Sequence, residues 1–159
     1  MKSIKIETNI AIYTYSELSE TEKRVVTAAR EATSGAYAPY SGFHVGAALL
    51  LSNGDIISGN NQENGAYPSG MCAERVAINY AKSIHPELSI EMIAIVATQN
   101  GKGFTKEMVA PCGGCRQVLT ETEMRQSSPI RVLMVGENGI WVVESGSDLM
   151  PLTFSLDKK

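Results

Sequence analysis

The chain carries its three cysteines in two short stretches, each placed where a helix could begin. Cys72 lies in "GMCAERVAI", and Cys112 and Cys115 lie in "PCGGC" further along. Residues i and i+3 of a helix are neighbours, so the last two thiols can reach one ion. Unpaired N–H groups and dipoles at helix N-termini favour thiolates, which are soft ligands that suit zinc. These cysteines therefore predict a zinc site.

The number of available ligands favours a catalytic ion over a structural one. A structural zinc ion has four protein ligands, whereas a catalytic one keeps a position for water. The chain has no fourth cysteine and two histidines, His44 and His85. His44 lies in an alternating segment and His85 directly precedes Pro86, so we interpret both as ordinary strand and helix-end residues. Three cysteine ligands and an open position remain.

Glu74 follows Cys72 by two positions and supplies a carboxylate beside the predicted metal. In the first helical turn the Cα–Cβ bonds tilt toward the N-terminus, so both side chains can converge above the helix end. Glu74 could then contact a water on the metal; the alternative is that it only stabilises the helix N-terminus. Arg75 directly follows Glu74, and Arg116 directly follows Cys115. Either can offset thiolate charge as an outer partner of the metal, or simply be solvated at the surface.

The elements that must position these residues are predicted from hydrophobic periodicity. Ser19 and Glu22 form a possible capping box for a first helix. Two further helices are expected, one from Ala73 until Pro86 stops it and one from Pro111 to about Met124. Strands are expected at residues 43–51, 55–60, 89–98, 130–135 and 140–145, with a short strand or extended arm in residues 1–16. This alternation predicts an α/β fold, a three-layer α/β/α sandwich with antiparallel first strands.

Composition argues against several classes of function. The 159 residues are 43% hydrophobic with a net charge of -3, as in one ordinary globular domain. Lysine and arginine are scattered, so no basic stripe for nucleic acid is present. No apolar run is long enough to span a membrane, and we find no export signal. We therefore expect a cytoplasmic protein, in which three cysteines serve metal binding or catalysis and not disulfides.

Taken together, the motifs resemble the zinc-dependent nucleoside deaminases, specifically the small three-cysteine cytidine deaminases that form homotetramers. The resemblance spans Leu18 to Phe154 and is carried by "AYAPYSGFHVGAALL", "GNNQENGAY", "CAE", "PCGGC" and "LMPLTF". It implies a mixed five-stranded sheet in the α/β/α sandwich, with one zinc ion per subunit at two helix N-termini. It also implies a single domain at residues 18–159, preceded by an N-terminal extension at residues 1–17.

The resemblance also implies roles for individual residues. Glu74 would be the catalytic proton shuttle, and Asn61 and Glu63 would bind the ribose 3′-hydroxyl. The implied zinc ligands are Cys72, Cys112 and Cys115. The other implied contacts are Phe43 against the pyrimidine, Ala73 through its backbone to the base, Tyr67 in the substrate pocket, Phe154 in a neighbouring subunit's site and Arg75 on the ligand sulfurs. Without the resemblance, the two phenylalanines would be interpreted as core residues.

The implied activity is hydrolytic deamination of cytidine and 2′-deoxycytidine to uridine and 2′-deoxyuridine, with release of ammonia, as in pyrimidine salvage. A small nucleoside is thus the expected substrate, and neither nucleic acid nor a membrane is an expected partner. One alternative is a related zinc deaminase for another cytosine-containing compound, such as a nucleoside antibiotic. Another is a non-enzymatic protein whose zinc only joins two helices. Asn60, Gln62 and Gly65 depart from the family's usual residues and could retune the pocket.

Overall fold

The computed structural model describes residues 1–156, which form a six-stranded mixed sheet with helices on both faces. The strands lie in the order β1-β6-β5-β4-β2-β3, where β4 and β5 are parallel and the other neighbours are antiparallel. Their bounds are β1 (Ala11–Tyr13), β2 (Phe43–Leu51), β3 (Ile56–Asn60), β4 (Ile90–Gln99), β5 (Arg131–Gly136) and β6 (Gly139–Val143).

Three helices complete the layers, and the predicted α/β/α sandwich is confirmed. Helix α1 (Glu20–Ala32) covers one face of the sheet, while α2 (Ala73–Ile84) and α3 (Gly113–Gln126) cover the other. Each face is sealed by its own hydrophobic cluster. Val25 and Val26 of α1 are fully buried on the first face, and Ala77 of α2 and Leu119 of α3 are fully buried on the second.

The expected number of five strands was wrong, because the N-terminal segment supplies a sixth. Strand β1 pairs antiparallel with β6 and places Ile12 opposite Trp141. Tyr13, opposite Ile140, packs against the cluster on the α1 face. Part of the segment predicted as an extension is therefore joined to the edge of the sheet.

Helix α1 begins at the capping box predicted from the sequence. The Ser19 hydroxyl accepts a hydrogen bond from the Glu22 backbone N–H at 3.2 Å, and the Glu22 carboxylate accepts one from the Ser19 backbone N–H at 2.8 Å. Two N–H groups that the helix itself leaves unpaired are thus satisfied. Glu22 also binds Arg131 of β5, which fastens the start of the helix to the sheet.

Helices α2 and α3 begin and end close to their predicted bounds. Helix α2 ends at Ile84, before Pro86. Helix α3 begins at Gly113, two residues beyond the predicted Pro111, because Cys112 keeps an extended backbone with φ -66° and ψ 167°. Its position between β4 and β5 is the crossover that two parallel strands require. None of the helices within residues 1–156 is both long and apolar enough to cross a bilayer.

A glycine permits the close contact between α2 and the edge strand beside it. A Cβ atom on Gly59 of β3 would lie 2.7 Å from the backbone nitrogen of Ala77 and 2.9 Å from the carbonyl oxygen of Ala73. Any larger residue would push the first turns of α2 away from the sheet. The glycine thus contributes to the placement of the helix that carries Glu74.

Candidate metal centre and active site

The three cysteine sulfurs meet at one point, although they come from two helices. The Cys72 and Cys112 sulfurs lie 3.7 Å apart, and the Cys112 and Cys115 sulfurs lie 3.6 Å apart. All three sulfurs lie within 4.8 Å of one another. Tetrahedral zinc with Zn–S bonds of about 2.3 Å requires sulfurs about 3.8 Å apart. The two measured spacings are therefore close to those that a single zinc ion requires.

The local backbone aims these sulfurs at the ends of two helices. Cys72 and Cys112 occupy the N-cap positions of α2 and α3, with extended backbones and no capping bond from their side chains. Cys115 follows in the first turn of α3 and is buried, whereas Cys112 is exposed. Both helix dipoles thus present their positive ends to the thiol group, which stabilises thiolate over thiol.

The thiols also influence one another. The pKa of Cys72 is lowered to about 6, because hydrogen bonds from Cys115 and Cys112 and the positive charge of Arg75 outweigh burial and the negative charge of Glu74. The bond between Cys115 and Cys72, together with burial, raises the pKa of Cys115. Without metal, the trio therefore holds its first negative charge on Cys72, the ligand nearest Arg75 in the sequence. The role of Arg75 as a partner of the sulfurs stays a prediction.

Glu74 is a buried carboxyl group at the same point. It lies in the first turn of α2 and is only 4% exposed. Burial raises its pKa, and a hydrogen bond with Cys115 opposes part of that rise. A first-turn acid that only favoured the helix dipole would remain in solvent. The burial of Glu74 against the sulfurs instead places a proton-exchanging group beside the metal position.

A cavity of about 440 Å³ opens in front of Glu74 and the sulfurs. Its volume lies within the range of small-molecule sites. The predicted residues that line it are Phe43, Asn61, Glu63, Tyr67, Cys72, Ala73, Glu74 and Cys112. Gln62, one of the departures expected to retune the pocket, lines it too. Residues to which the sequence interpretation gave no role also line it, namely Ser41, Val45, Gly70, Met71, Val109 and Ala110. Proximity to "PCGGC" was the one local signal for the last two.

Asn61 and Glu63 organise one wall of this cavity. The Asn61 amide accepts a hydrogen bond from the Val45 backbone at 2.8 Å and donates one to the Phe43 carbonyl at 2.9 Å. The Glu63 carboxylate accepts hydrogen bonds from the Tyr40 backbone at 2.9 Å and the Ser41 hydroxyl at 2.5 Å. The bonds from Ser41 and Tyr40 lower the pKa of Glu63, so this wall carries a fixed negative charge.

Comparison with known proteins agrees with this geometry. The family model for the cytidine and deoxycytidylate deaminase zinc-binding region matches residues 19–128, which is more than half of the chain. The chain belongs to this deaminase family. A cytidine deaminase of Halalkalibacterium halodurans is 45% identical over 97 residues, which are 61% of this chain and 68% of that protein.

Two further relatives are similar to this chain over more than four fifths of its length. A cytidine deaminase of Mycobacterium tuberculosis is 36% identical over 132 residues, or 81% of this chain and 86% of that protein. The crystal structure of cytidine deaminase from Burkholderia pseudomallei superposes with a TM-score of 0.70 at 35% identity, covering 86% of this chain and 100% of that one. The division at residues 17 and 18 stays a prediction, and its end at residue 159 lies outside the described residues.

Phe154 and Tyr67 differ from the other predicted substrate contacts in their exposure. Phe154 is 68% exposed and lies outside the cavity, with its carbonyl bound by the Gln117 amide at 2.8 Å. Tyr67 lines the cavity but is 77% exposed, and its ring meets that of Tyr40 edge to face at 6.4 Å. Both residues therefore present aromatic surface outward from this chain.

Arg116 directly follows Cys115 in α3 and contacts no carboxylate in the described hydrogen bonds. Its Nε donates to the carbonyl of Pro111 at 2.8 Å, and its Nη1 donates to the carbonyl of Leu149 at 3.2 Å. Pro111 directly precedes Cys112. Arg116 thus joins the backbone just before Cys112 to the segment around Leu149. The alternative that it is simply solvated at the surface is therefore wrong.

Proposed function

We propose that the protein is a zinc-dependent cytidine deaminase that converts cytidine and 2′-deoxycytidine, with water, to uridine and 2′-deoxyuridine and ammonia. The observation that carries this proposal is the buried Glu74 carboxyl beside three converging cysteine sulfurs, at the wall of a cavity of nucleoside size. Membership of the deaminase family supports it. A zinc ion that only joined two helices would need neither the cavity nor the buried acid.

The proposed roles at the reacting end follow from this placement. Cys72, Cys112 and Cys115 hold the zinc ion, which when bound supplies the Lewis acidity that makes water nucleophilic near neutral pH. Glu74 takes a proton from the attacking water and gives it to N3 of the pyrimidine while C4 is attacked. Glu74 then protonates the departing amino group at C4. Its raised pKa suits a group that must both accept and donate a proton.

The wall formed by Asn61 and Glu63 supports recognition of the ribose. After its two bonds to strand β2, the Asn61 amide still has one N–H and one oxygen lone pair for a hydroxyl. Glu63, held ionised, accepts hydrogen bonds and cannot donate them, so it suits a hydroxyl donor such as the 3′-hydroxyl. Phe43 and Ala73 line the same cavity, and we propose that the Phe43 ring and the Ala73 backbone hold the pyrimidine.

We also propose a homotetramer that acts in the cytoplasm. The exposed rings of Phe154 and Tyr67 are available to a neighbouring subunit, and Phe154 would complete that subunit's site. Three cysteines committed to a metal suit a reducing compartment. Sedimentation velocity at micromolar concentration tests the assembly, and an active monomer would contradict it.

A substrate panel tests the proposed activity. Cytidine, 2′-deoxycytidine, cytosine, 2′-deoxycytidine 5′-phosphate and a cytosine-containing nucleoside antibiotic are each incubated with zinc-loaded protein, and ammonia release is measured. We expect turnover of the two nucleosides, with little of free cytosine, which lacks the ribose that Asn61 and Glu63 would bind. Turnover of the antibiotic alone would support the related deaminase instead. Absence of ammonia from all five would contradict the proposed function.

A further inference from the structure

Three side chains of helix α3 bind the C-terminal part of the chain. The same helix positions the ligands Cys112, at its N-cap, and Cys115, in its first turn. Arg116 binds the Leu149 carbonyl, Gln117 binds the Phe154 carbonyl, and Glu123 binds the turn formed by residues 145–149. We refer to residues 145–149 as the C-terminal turn. The turn that leads to Phe154 is therefore positioned by the same helix that positions the sulfurs.

Glu123 is the centre of this attachment. Its side chain is buried, although nothing in the proposed reaction uses it. The carboxylate accepts backbone N–H bonds from Ile130 and Gly146 at 2.7 Å each and from Ser147 at 3.0 Å. The hydroxyls of Ser145 and Ser147 donate to it as well. A buried carboxylate with this many donors is held rigidly, and its loss would leave several buried N–H groups unpaired.

Arg116 connects this turn to the metal ligands. The Leu149 carbonyl, at the end of the turn, accepts a hydrogen bond from Nη1 of Arg116. Nε of the same arginine donates to the carbonyl of Pro111, the residue before Cys112. Cys112 is the exposed ligand and has no capping bond at its own helix start. The Cys112 carbonyl is held by the Arg116 backbone N–H at 2.9 Å, and the residue before it is held by the Arg116 side chain through the Pro111 carbonyl.

We propose that Glu123 is a positioning residue for the metal site, acting through the C-terminal turn and Arg116 on the backbone of Cys112. The inference rests on the zinc site of the proposed function. Glu123 fixes the turn, the turn presents the Leu149 carbonyl, and Arg116 spans from that carbonyl to Pro111. If the turn is released, Arg116 loses one of its two anchors, and the Cys112 sulfur is held less firmly against dissociation of the metal.

The test is the rate of zinc release to a chromophoric chelator, measured on the folded, zinc-loaded protein well below its unfolding temperature. Removing an outer partner of a metal ligand weakens metal binding by about 10- to 100-fold, so we expect R116Q to release zinc about 10-fold faster or more. We expect E123Q, one step further away, to release it about 3-fold faster or more. E121Q, an exposed glutamate two residues away on the same helix, is the matched control and should match wild type.

The double variant E123Q/R116Q separates positioning from general destabilisation. If Glu123 acts through Arg116, E123Q should change the release rate by less than about 2-fold in the R116Q background, because the connection is already broken. Additive effects would overturn the proposal, as would wild-type release from folded E123Q. If E123Q does not fold, S147A removes one hydroxyl donor to Glu123 and should show the same coupling. Zinc release needs no cytidine turnover, so failure of this proposal is distinguishable from failure of the proposed activity.

Discussion

The Cys72 and Cys112 sulfurs lie 3.7 Å apart, although 40 positions separate them in the chain. Each is the N-cap residue of a helix, and both helices lie on the same face of the sheet. A sulfur pair at this distance, without a disulfide, is what tetrahedral coordination by a shared ion requires. The metal would thus join the starts of α2 and α3 and contribute to the stability of the fold.

Replacing Cys112 by serine should therefore remove the metal and lower thermal stability. We expect the zinc content, measured by atomic spectroscopy, to fall from about one ion per chain to near zero. G113A is the matched control, because a Cβ on Gly113 would meet no atom within 4 Å. Full zinc content in C112S would show that the sulfur trio is not the ligand set.

Replacing Asn61 by alanine should destabilise the protein as well as weaken substrate binding. The change removes the hydrogen-bond partners of the Val45 backbone N–H and the Phe43 carbonyl, both at the start of strand β2. Each fully buried group left without a partner costs about 1–3 kcal/mol. Because both groups are only part-buried, we expect a total fall of about 1–3 kcal/mol in the free energy of unfolding, measured in urea. N79A, at an exposed position of α2, is the control. An unchanged unfolding free energy in N61A would contradict the role of these two bonds.

Glu22 should make stability depend on pH in the acid range. Burial would raise its pKa, but hydrogen bonds from Ser19 and the charge and hydrogen bond of Arg131 outweigh burial, so its pKa lies below 4.5. Glu144 also faces this arginine. Because the folded pKa is the lower one, the contribution of Glu22 is present above about pH 4.5 and is lost as the pH falls through the folded value.

The variant E22Q should then be less stable than wild type at pH 7, with a difference that shrinks below pH 4.5. Urea unfolding in the presence of a chelator measures this without a contribution from zinc release. E20Q, at a solvent-exposed carboxylate, is the control and should show no such pH dependence. A constant difference between E22Q and wild type from pH 7 to pH 3 would refute the assignment.

Phe154 should act on a neighbouring subunit's site and not on its own. Loss of one packed aromatic contact costs on the order of 1.4 kcal/mol, so F154A should raise KM for cytidine about 10-fold. L152A, another exposed residue of the same tail, is the control. In the proposed tetramer, mixing F154A subunits with Glu74→Gln subunits lets a site that keeps Glu74 receive Phe154 from its neighbour. A fraction with wild-type KM is expected, and its absence would exclude action between subunits.

Local patterns in the sequence predicted the elements that hold the site. The Ser19–Glu22 capping box, the apolar run of β2 and the proline after α2 each act within a few residues, so their structural consequences could be predicted. The metal site was predicted although Cys72 is distant in sequence from the other two cysteines. Thiolates are soft ligands that suit zinc, and with few histidines in the chain these three cysteines were the natural ligand set.

Contacts between distant segments could not be predicted in this way. Glu123 has the sequence context of a solvated helical acid, but it is buried because Gly146 and Ser147, more than twenty residues later, fold back onto it. Strand β1 has only three paired residues, too few for a clear alternation. The amide of Asn61 was expected to face the ribose, and its bonds to β2 depend on a strand sixteen residues earlier.

The central claim is that Glu74 moves protons beside a zinc ion held by three cysteines. The most direct test measures zinc content and cytidine turnover together in Glu74→Gln, with Glu121→Gln as the control. We predict about one zinc ion per chain in both variants, control turnover equal to wild type, and turnover of Glu74→Gln lower by at least about 10²- to 10⁴-fold. Near-normal turnover in zinc-loaded Glu74→Gln would contradict the account.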